Sequence, residues 1–283
     1  AQMSCPLLWR LYLPAVWLAD PQRRAAGKIP ENLQYQSKNE LALGLIDQAL
    51  DWDLPRLPVV ADSAYGNDFD FRQALRQRGL PYAVAVEPTT KVWTADPNQI
   101  PVPVGKPGGR PRKFVPLAAL PEPQTLAELA RSLPSSAWQA VTWRTGTKGP
   151  QRSRFAKVKV WAAHGWKAQR HPERVAEWLL IEWAAGAEAP SDYWLADLGP
   201  QPVGLRRLVR IARSRWRVEL DYRELKEELG LDHYEGRHWL GWHHHVTLVS
   251  LAFAFLRQEQ VRIKKNFWCD TAANPPSVAG GVD

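Results

Sequence analysis

Two short apolar runs constrain this chain more than any other feature. Leu57-Pro58-Val59-Val60-Ala61 ends on Asp62, and Pro81 to Glu87 reads PYAVAVE. Such short, continuous apolar runs predict strands buried on both faces. Helical stripes precede each of them. Ser37 and Glu40 form a capping box, and Leu41, Leu45, Ile46, Ala49 and Leu50 continue it to about Trp52. Phe69 to Arg78 is the next helix, stopped by Gly79. Residues 8–13, LWRLYL, alternate weakly and end at Pro14, which predicts a further strand. A Pro-, Gly- and Asn-bearing connection to Gln36 follows it. Helices alternating with buried strands define an α/β core.

The character then changes. Residues 88–123 are rich in Pro and Gly, and Leu126 to Leu133 is a short helix. Strand-like segments follow at 138–144, 155–163, 178–183 and 193–196. The expected organisation is an N-terminal part of an α/β core over 1–87 and a β-rich insertion over 88–198. A helical C-terminal part of the core over 199–260 and a disordered tail over 261–283 complete it. Within the third part, one charged helix spans Leu205 to Leu229, and an apolar one spans Trp239 to Gln258.

Charge points to a polyanionic partner. The net charge is +8. Between Trp138 and Pro172 there is no Asp or Glu, yet eight cations occur, from Arg144 and Lys148 to Lys167 and Arg170. Lys106, Arg110, Arg112 and Lys113 form a second acid-free block. Clusters of this kind suit a phosphate backbone better than a merely soluble surface. No apolar run approaches the roughly 18 residues of a membrane span, and the N-terminus lacks the layout of a signal peptide. Cys5 and Cys269 lack any pairing pattern, which fits the cytoplasm.

Two acids stand out. Asp62 sits where a buried strand ends, the position at which open α/β sheets collect function. The plainer alternative is a turn Asp capping its own backbone. Further on, Arg215, Glu219, Tyr222 and Lys226 fall on one stripe of the long helix at about 100° per residue. A carboxylate flanked by cations suits a metal beside a phosphate. The plainer alternative is a solvated helix with ion pairs such as Arg215–Glu219.

These residues resemble a known family. VVADSAYG is similar to the second-Asp strand of the IS701 group of DDE transposases, close to the IS4 group. The IS4-type signature is Tyr, two residues, Arg, three residues, Glu, six residues, Lys. Ala212, Arg215, Glu219 and Lys226 occupy those places, with Ala212 replacing the Tyr. LDYRELKEELGLDHYEGRHWLGWHHH and WRLYLP also resemble the group. The resemblance implies an RNase H-like mixed sheet with helices, interrupted by the β-rich insertion. It implies a bacterial, nucleoid-associated enzyme that cleaves and joins DNA. The partners would be double-stranded transposon ends and target, bound by a homodimer. Asp62 and Glu219 would be the second and third metal-binding acids, holding Mg²⁺ or Mn²⁺ for in-line phosphoryl displacement. Taking 8–13 as the third strand places the first two strands and the first Asp upstream of residue 1. The expectation is therefore an inactive, N-terminally truncated chain. Its alternatives are a non-catalytic remnant that binds ends or inhibits intact enzyme, and a stand-alone metal nuclease.

Three lesser candidates remain. Gly108-Gly109-Arg110-Pro111-Arg112 resembles a minor-groove AT-hook, against a plain basic loop. Trp143, Arg144 and Lys148 suit an extruded base with its phosphates, against a hairpin whose Trp143 lies in the core. His243, His244 and His245 point in different directions on a helix and do not share one metal ion.

Overall fold

The computed structural model describes residues 4–101, 115, 119–146, 149–165 and 174–273, with backbone alone for 264–273. The described residues form two compact units, one from those within 38–215 and the other from those within 1–37 and 216–283.

In the larger unit, α1 (Lys38–Asp51) leads to β1 (Val59–Ala61), α2 (Ser63–Gly66), α3 (Phe69–Gln77) and β2 (Tyr82–Val86). Then come β3 (Lys91–Trp93), β4 (Gln124–Thr125), α4 (Leu126–Ser132), β5 (Gln139–Gly146) and β6 (Gly149–Ala162). Strands β7 (Ala176–Ala184) and β8 (Asp192–Asp197), helix α5 (Leu205–Ala212) and a 3₁₀ turn (Arg213–Arg215) complete it. The eight strands form one mixed sheet ordered β1-β2-β8-β7-β6-β3-β4, with β5 also paired to β6. Among the described residues only β1 and β2 pair in parallel; Val59 to Ala61 lie opposite Tyr82 to Val84. β2 pairs antiparallel with β8, so strands from the region 88–198 extend the sheet that β1 and β2 begin.

Both apolar runs form strands, but only β2 is buried on both faces as expected; β1 is half-buried at the end of the strand order among the described residues. Tyr82 and Val84 face Phe71 and Leu75 of α3, with Leu43, Ile46 and Leu50 of α1 beyond. Ala83 points the other way, against Leu208, Val209 and Ala212 of α5. A third cluster places Leu126, Leu129 and Ala130 of α4 against Val160, Leu179 and Leu195. Helix α4 opens with a full capping box: Thr125 Oγ1 accepts from the Glu128 N–H, and Glu128 accepts from Thr125 N–H.

The core also contains a charge network. Arg72 donates to Glu177 at 2.9 Å and to the Gly66 carbonyl at 2.6 Å; Tyr82 donates to Glu177 at 2.6 Å. Burial pushes the Glu177 carboxyl upward, but the Arg72 and Arg76 guanidiniums outweigh it and hold it below the ordinary carboxylate range. Removing either partner would leave a buried charge alone, so the network fixes α3 against β7.

In the smaller unit, α6 (Ala15–Leu18) and α7 (Pro21–Gly27) precede residue 38, and α8 (Trp216–Glu227) and α9 (Trp239–Ala273) follow the turn. Four expectations change here. Residues 8–13 form no strand. Trp9 instead donates to Ser250 Oγ on α9 at 2.7 Å and packs by Leu225, Val249 and Phe253. Its indole gains an apolar slot with a polar partner, and that outweighs a weak alternating pattern. The supposed loop to Gln36 holds α6 and α7; Asp20 caps α7 by accepting from the Gln22 and Arg23 N–H groups, with Pro21 at the first position. The single helix over 205–229 is broken at the 3₁₀ turn. The last helix passes its expected end at Gln258 and the start of the expected disordered tail, reaching Ala273.

Candidate functional site

Asp62 is the first residue beyond β1. Its Oδ1 accepts the Ala64 N–H at 3.1 Å and caps α2. That is the plainer role considered for it, and it leaves Oδ2 facing outward. Arg215 Nη1 lies 3.8 Å from Oδ2, with the two side chains 38% and 43% exposed. The carboxylate is thus fixed at one oxygen and accessible at the other.

The backbone around Asp62 is tightly held. A Cβ on Gly66 would overlap the carbonyl of Ala85 on β2, so only glycine allows α2 to lie this close to the strand. Asn67 Oδ1 accepts the Glu87 N–H at 2.9 Å, tying the end of α2 to the end of β2. Asp68 caps α3 through the Asp70 and Phe71 N–H groups. Together these explain why a strand, an acid and the sequence Ser-Ala-Tyr-Gly occur in this order: each residue closes one part of a rigid strand-to-helix corner.

Arg215 belongs to the 3₁₀ turn, not to α8 with Glu219. The turn is anchored by Arg213, which pairs with buried Glu182 at 2.6 Å and lies over the rings of Trp143 and Trp194 at 5.0 and 5.5 Å. Ser214 Oγ donates back to the Ile211 carbonyl at 2.7 Å. Back-bonding of this kind bends a helix, which is why the stripe drawn on one continuous helix splits between Arg215 and Glu219. Arg213 carried no signal in the sequence, since Glu182 and Trp143 are remote along the chain.

Glu219 is exposed in the first turn of α8, and Lys226 is exposed in its last turn. Tyr222 lies edge-on to Trp9 at 5.9 Å. Burial, and then the Glu219 charge, push its phenol pKa up, so it is a neutral hydroxyl at ordinary pH. Asp62 belongs to the larger unit and Glu219 to the smaller.

Trp143 is half-buried against the β2–α5 cluster beneath Arg213, the core placement weighed for it. Arg144, also half-buried, follows it across a bulge in β5. Lys148, Arg110 and Arg112 lie outside the described residues, as does the AT-hook-like segment. Several cations of the acid-free segment serve the fold. Lys157 donates to the Val203 carbonyl at 2.7 Å, and Arg154 covers the Trp183 ring at 4.5 Å. His245 Nε2 bonds the Gly230 carbonyl at 3.0 Å and His243 Nδ1 the Trp239 carbonyl at 2.8 Å, so neither ring is turned toward a shared metal.

For a divalent cation, Asp62 is a suitable oxygen donor, being accessible and backed by a rigid corner. Among the described residues no group of three or more His, Cys, Asp or Glu side chains is placed to hold a metal. The donors within these residues therefore do not close a ligand set by themselves. No described helix is long and apolar enough to cross a membrane.

The described residues define an α/β protein with a mixed sheet flanked by helices, and an acid stands at the carboxyl end of a parallel strand with an arginine against it. Residues 1–150 match the family model described as DDE superfamily endonuclease, and this is more than half of the chain. The chain belongs to that family. The match takes in Asp62 and ends before Glu219. No curated protein matches the sequence. DNA is the substrate of this superfamily, and its chemistry uses divalent metal ions.

Proposed function

We propose that the chain is an insertion-sequence transposase of the IS701-like, IS4-related group, acting on double-stranded transposon ends and target DNA as a homodimer. The observation that supports this most directly is the Asp62–Arg215 pair at the carboxyl end of β1. An acid there holds a divalent cation, and a guanidinium beside it holds the phosphate that the cation also contacts. In this reading Asp62 and Glu219 are metal-binding acids, and Mg²⁺ or Mn²⁺ would polarise the scissile phosphate and activate the attacking hydroxyl. Arg215 and Lys226 bind backbone phosphates. Tyr222, neutral and partly packed by Trp9, donates a hydrogen bond to the backbone.

A second reading is favoured by the ligand count. With no group of three metal-binding side chains among the described residues, the 283-residue chain binds DNA without cutting it. One assay separates the two: cleavage of a labelled transposon-end duplex in Mg²⁺ and Mn²⁺, with binding followed in parallel. Binding without cleavage supports the second reading. Cleavage lost on Asp62→Asn and on Glu219→Gln supports the first. Neither binding nor cleavage would remove both.

A further inference from the structure

Three arginines from two separate parts of the larger unit converge on one cleft. Arg152 comes from β6, directly opposite Thr142 on β5. Arg206 and Arg210 are one turn apart on α5. With Ala140 and Thr142 they line an open cleft of 320 Å³ on which no carboxylate of the described residues borders. All three are exposed. Among the described residues none of them has an acidic partner, unlike Arg72, Arg76, Arg78, Arg213 and Arg257.

The local helix end adds to the positive potential. Helix α5 follows Gly204, which offers no side-chain cap, and has no acid in its first turn, where Arg206 sits. Helices α1, α3, α4 and α8 each place a Glu or Asp there. An adjoining depression shares Ala140 and Arg152 and continues past Arg154 to Ala184–Ala187. The cleft therefore continues as a groove from β5 and β6 to Trp183 and the residues that follow β7.

Like charges gathered without counter-charges repel one another, at a cost that an anion offsets. Guanidiniums in a groove match the spaced, singly charged oxygens of a phosphodiester chain, each fork binding two of them. Three guanidiniums with no carboxylate among the described lining residues favour an anionic ligand over a cationic one. The small residues Ala140 and Thr142 leave room for a backbone in the cleft, and the Trp183 ring in the adjoining groove is covered by Arg154.

We infer that the Arg152–Arg206–Arg210 cleft is a phosphate-backbone subsite for duplex DNA, separate from the Asp62 corner. It holds the duplex in place and does not touch the reacting phosphate. This inference rests on the reading of DNA as the substrate.

The test is the salt dependence of duplex binding by the full 283-residue chain. The triple variant Arg152→Gln/Arg206→Gln/Arg210→Gln is compared with wild type, with its all-lysine counterpart, and with Arg23→Gln/Arg131→Gln/Arg262→Gln. The last removes the same charge from other exposed positions. The log–log slope should become shallower by about 0.9 for each lost phosphate contact in the cleft glutamine variant. It should be nearly restored by lysine, and should change little in the control. Circular dichroism and thermal melting check that the variants fold. An unchanged slope in the cleft variant overturns the inference while leaving DNA as the substrate. An equal loss in the control overturns it too, because any basic surface would then do. Wild-type chain that binds no duplex overturns both this inference and the DNA reading.

Discussion

Arg215 Nη1 stands 3.8 Å from Asp62 Oδ2, at the point where β1 hands over to α2 and where the 3₁₀ turn precedes α8. A cation so placed competes with any metal for the same oxygen. Arg215→Gln should therefore strengthen Mn²⁺ binding, by a few-fold at most, because an exposed pair is worth only about 0–1 kcal/mol. The same substitution should weaken duplex binding. Asp62→Asn should weaken Mn²⁺ binding in the opposite sense. Electron paramagnetic resonance titration of free Mn²⁺ reads both; equal affinity in all three proteins would remove Asp62 as a ligand.

The buried network predicts a large structural effect far from any chemistry. Glu177→Gln keeps the volume and the oxygen that Tyr82 bonds but leaves Arg72 uncompensated in the core. The loss should be about 3–5 kcal/mol, read as a shift in the urea midpoint at unchanged slope. Replacing Arg72 and Glu177 together by apolar residues should cost less than the single change.

The same network sets a pH dependence. Glu177 has its folded-state pKa depressed by Arg72 and Arg76 against the opposing effect of burial. Its contribution is fully present above the unfolded value of about 4.3 and is lost as pH falls through the lower folded value. Tyr82 acts at the other end. Burial, and then the Glu177 charge, raise its pKa well above the ordinary value. Stability should thus also fall as pH climbs past about 10, where the unfolded phenol ionises first. Denaturation from pH 2 to 11 should show both flanks, and Glu177→Gln should flatten the acid one. An unchanged acid flank in that variant would mean other carboxylates control it.

Gly66→Ala tests the corner beneath Asp62. The added methyl meets the Ala85 carbonyl, so α2 must move from β2 or the strand must shift. A loss of about 1–3 kcal/mol is expected, with Mn²⁺ binding weakened as the Asp62 cap loosens. Gly44→Ala, where nothing lies near the new Cβ, should be neutral or stabilising at the level of about 0.4–1 kcal/mol. Thermal melts of the two variants separate these outcomes.

What the sequence determined by itself is local. Tyr82 to Val86 became a strand because a continuous apolar run buried on both faces suits a position between two other strands, whereas Val59 to Ala61, equally apolar in sequence, is half-buried at the end of the strand order among the described residues. Ser37 and Glu40 marked the start of α1 in the sequence, and the caps that Asp68 and Thr125 supply to α3 and α4 are equally local, within three residues of each. Asp62 was legible as special because strand-end position and turn residues are written side by side. Tertiary structure decided the rest, because those choices depend on partners remote in the chain. LWRLYL had a strand's pattern, yet the slot offered by Val249, Ser250 and Phe253 held Trp9 more strongly. Leu205 to Leu229 had a single helix's pattern, yet Glu182 and the rings of Trp143 and Trp194 hold Arg213 and break it. Alternation specifies which face of a strand is apolar, but not its neighbour. Only the folded sheet set β8 beside β2, and so joined the later strands to the sheet that carries Asp62.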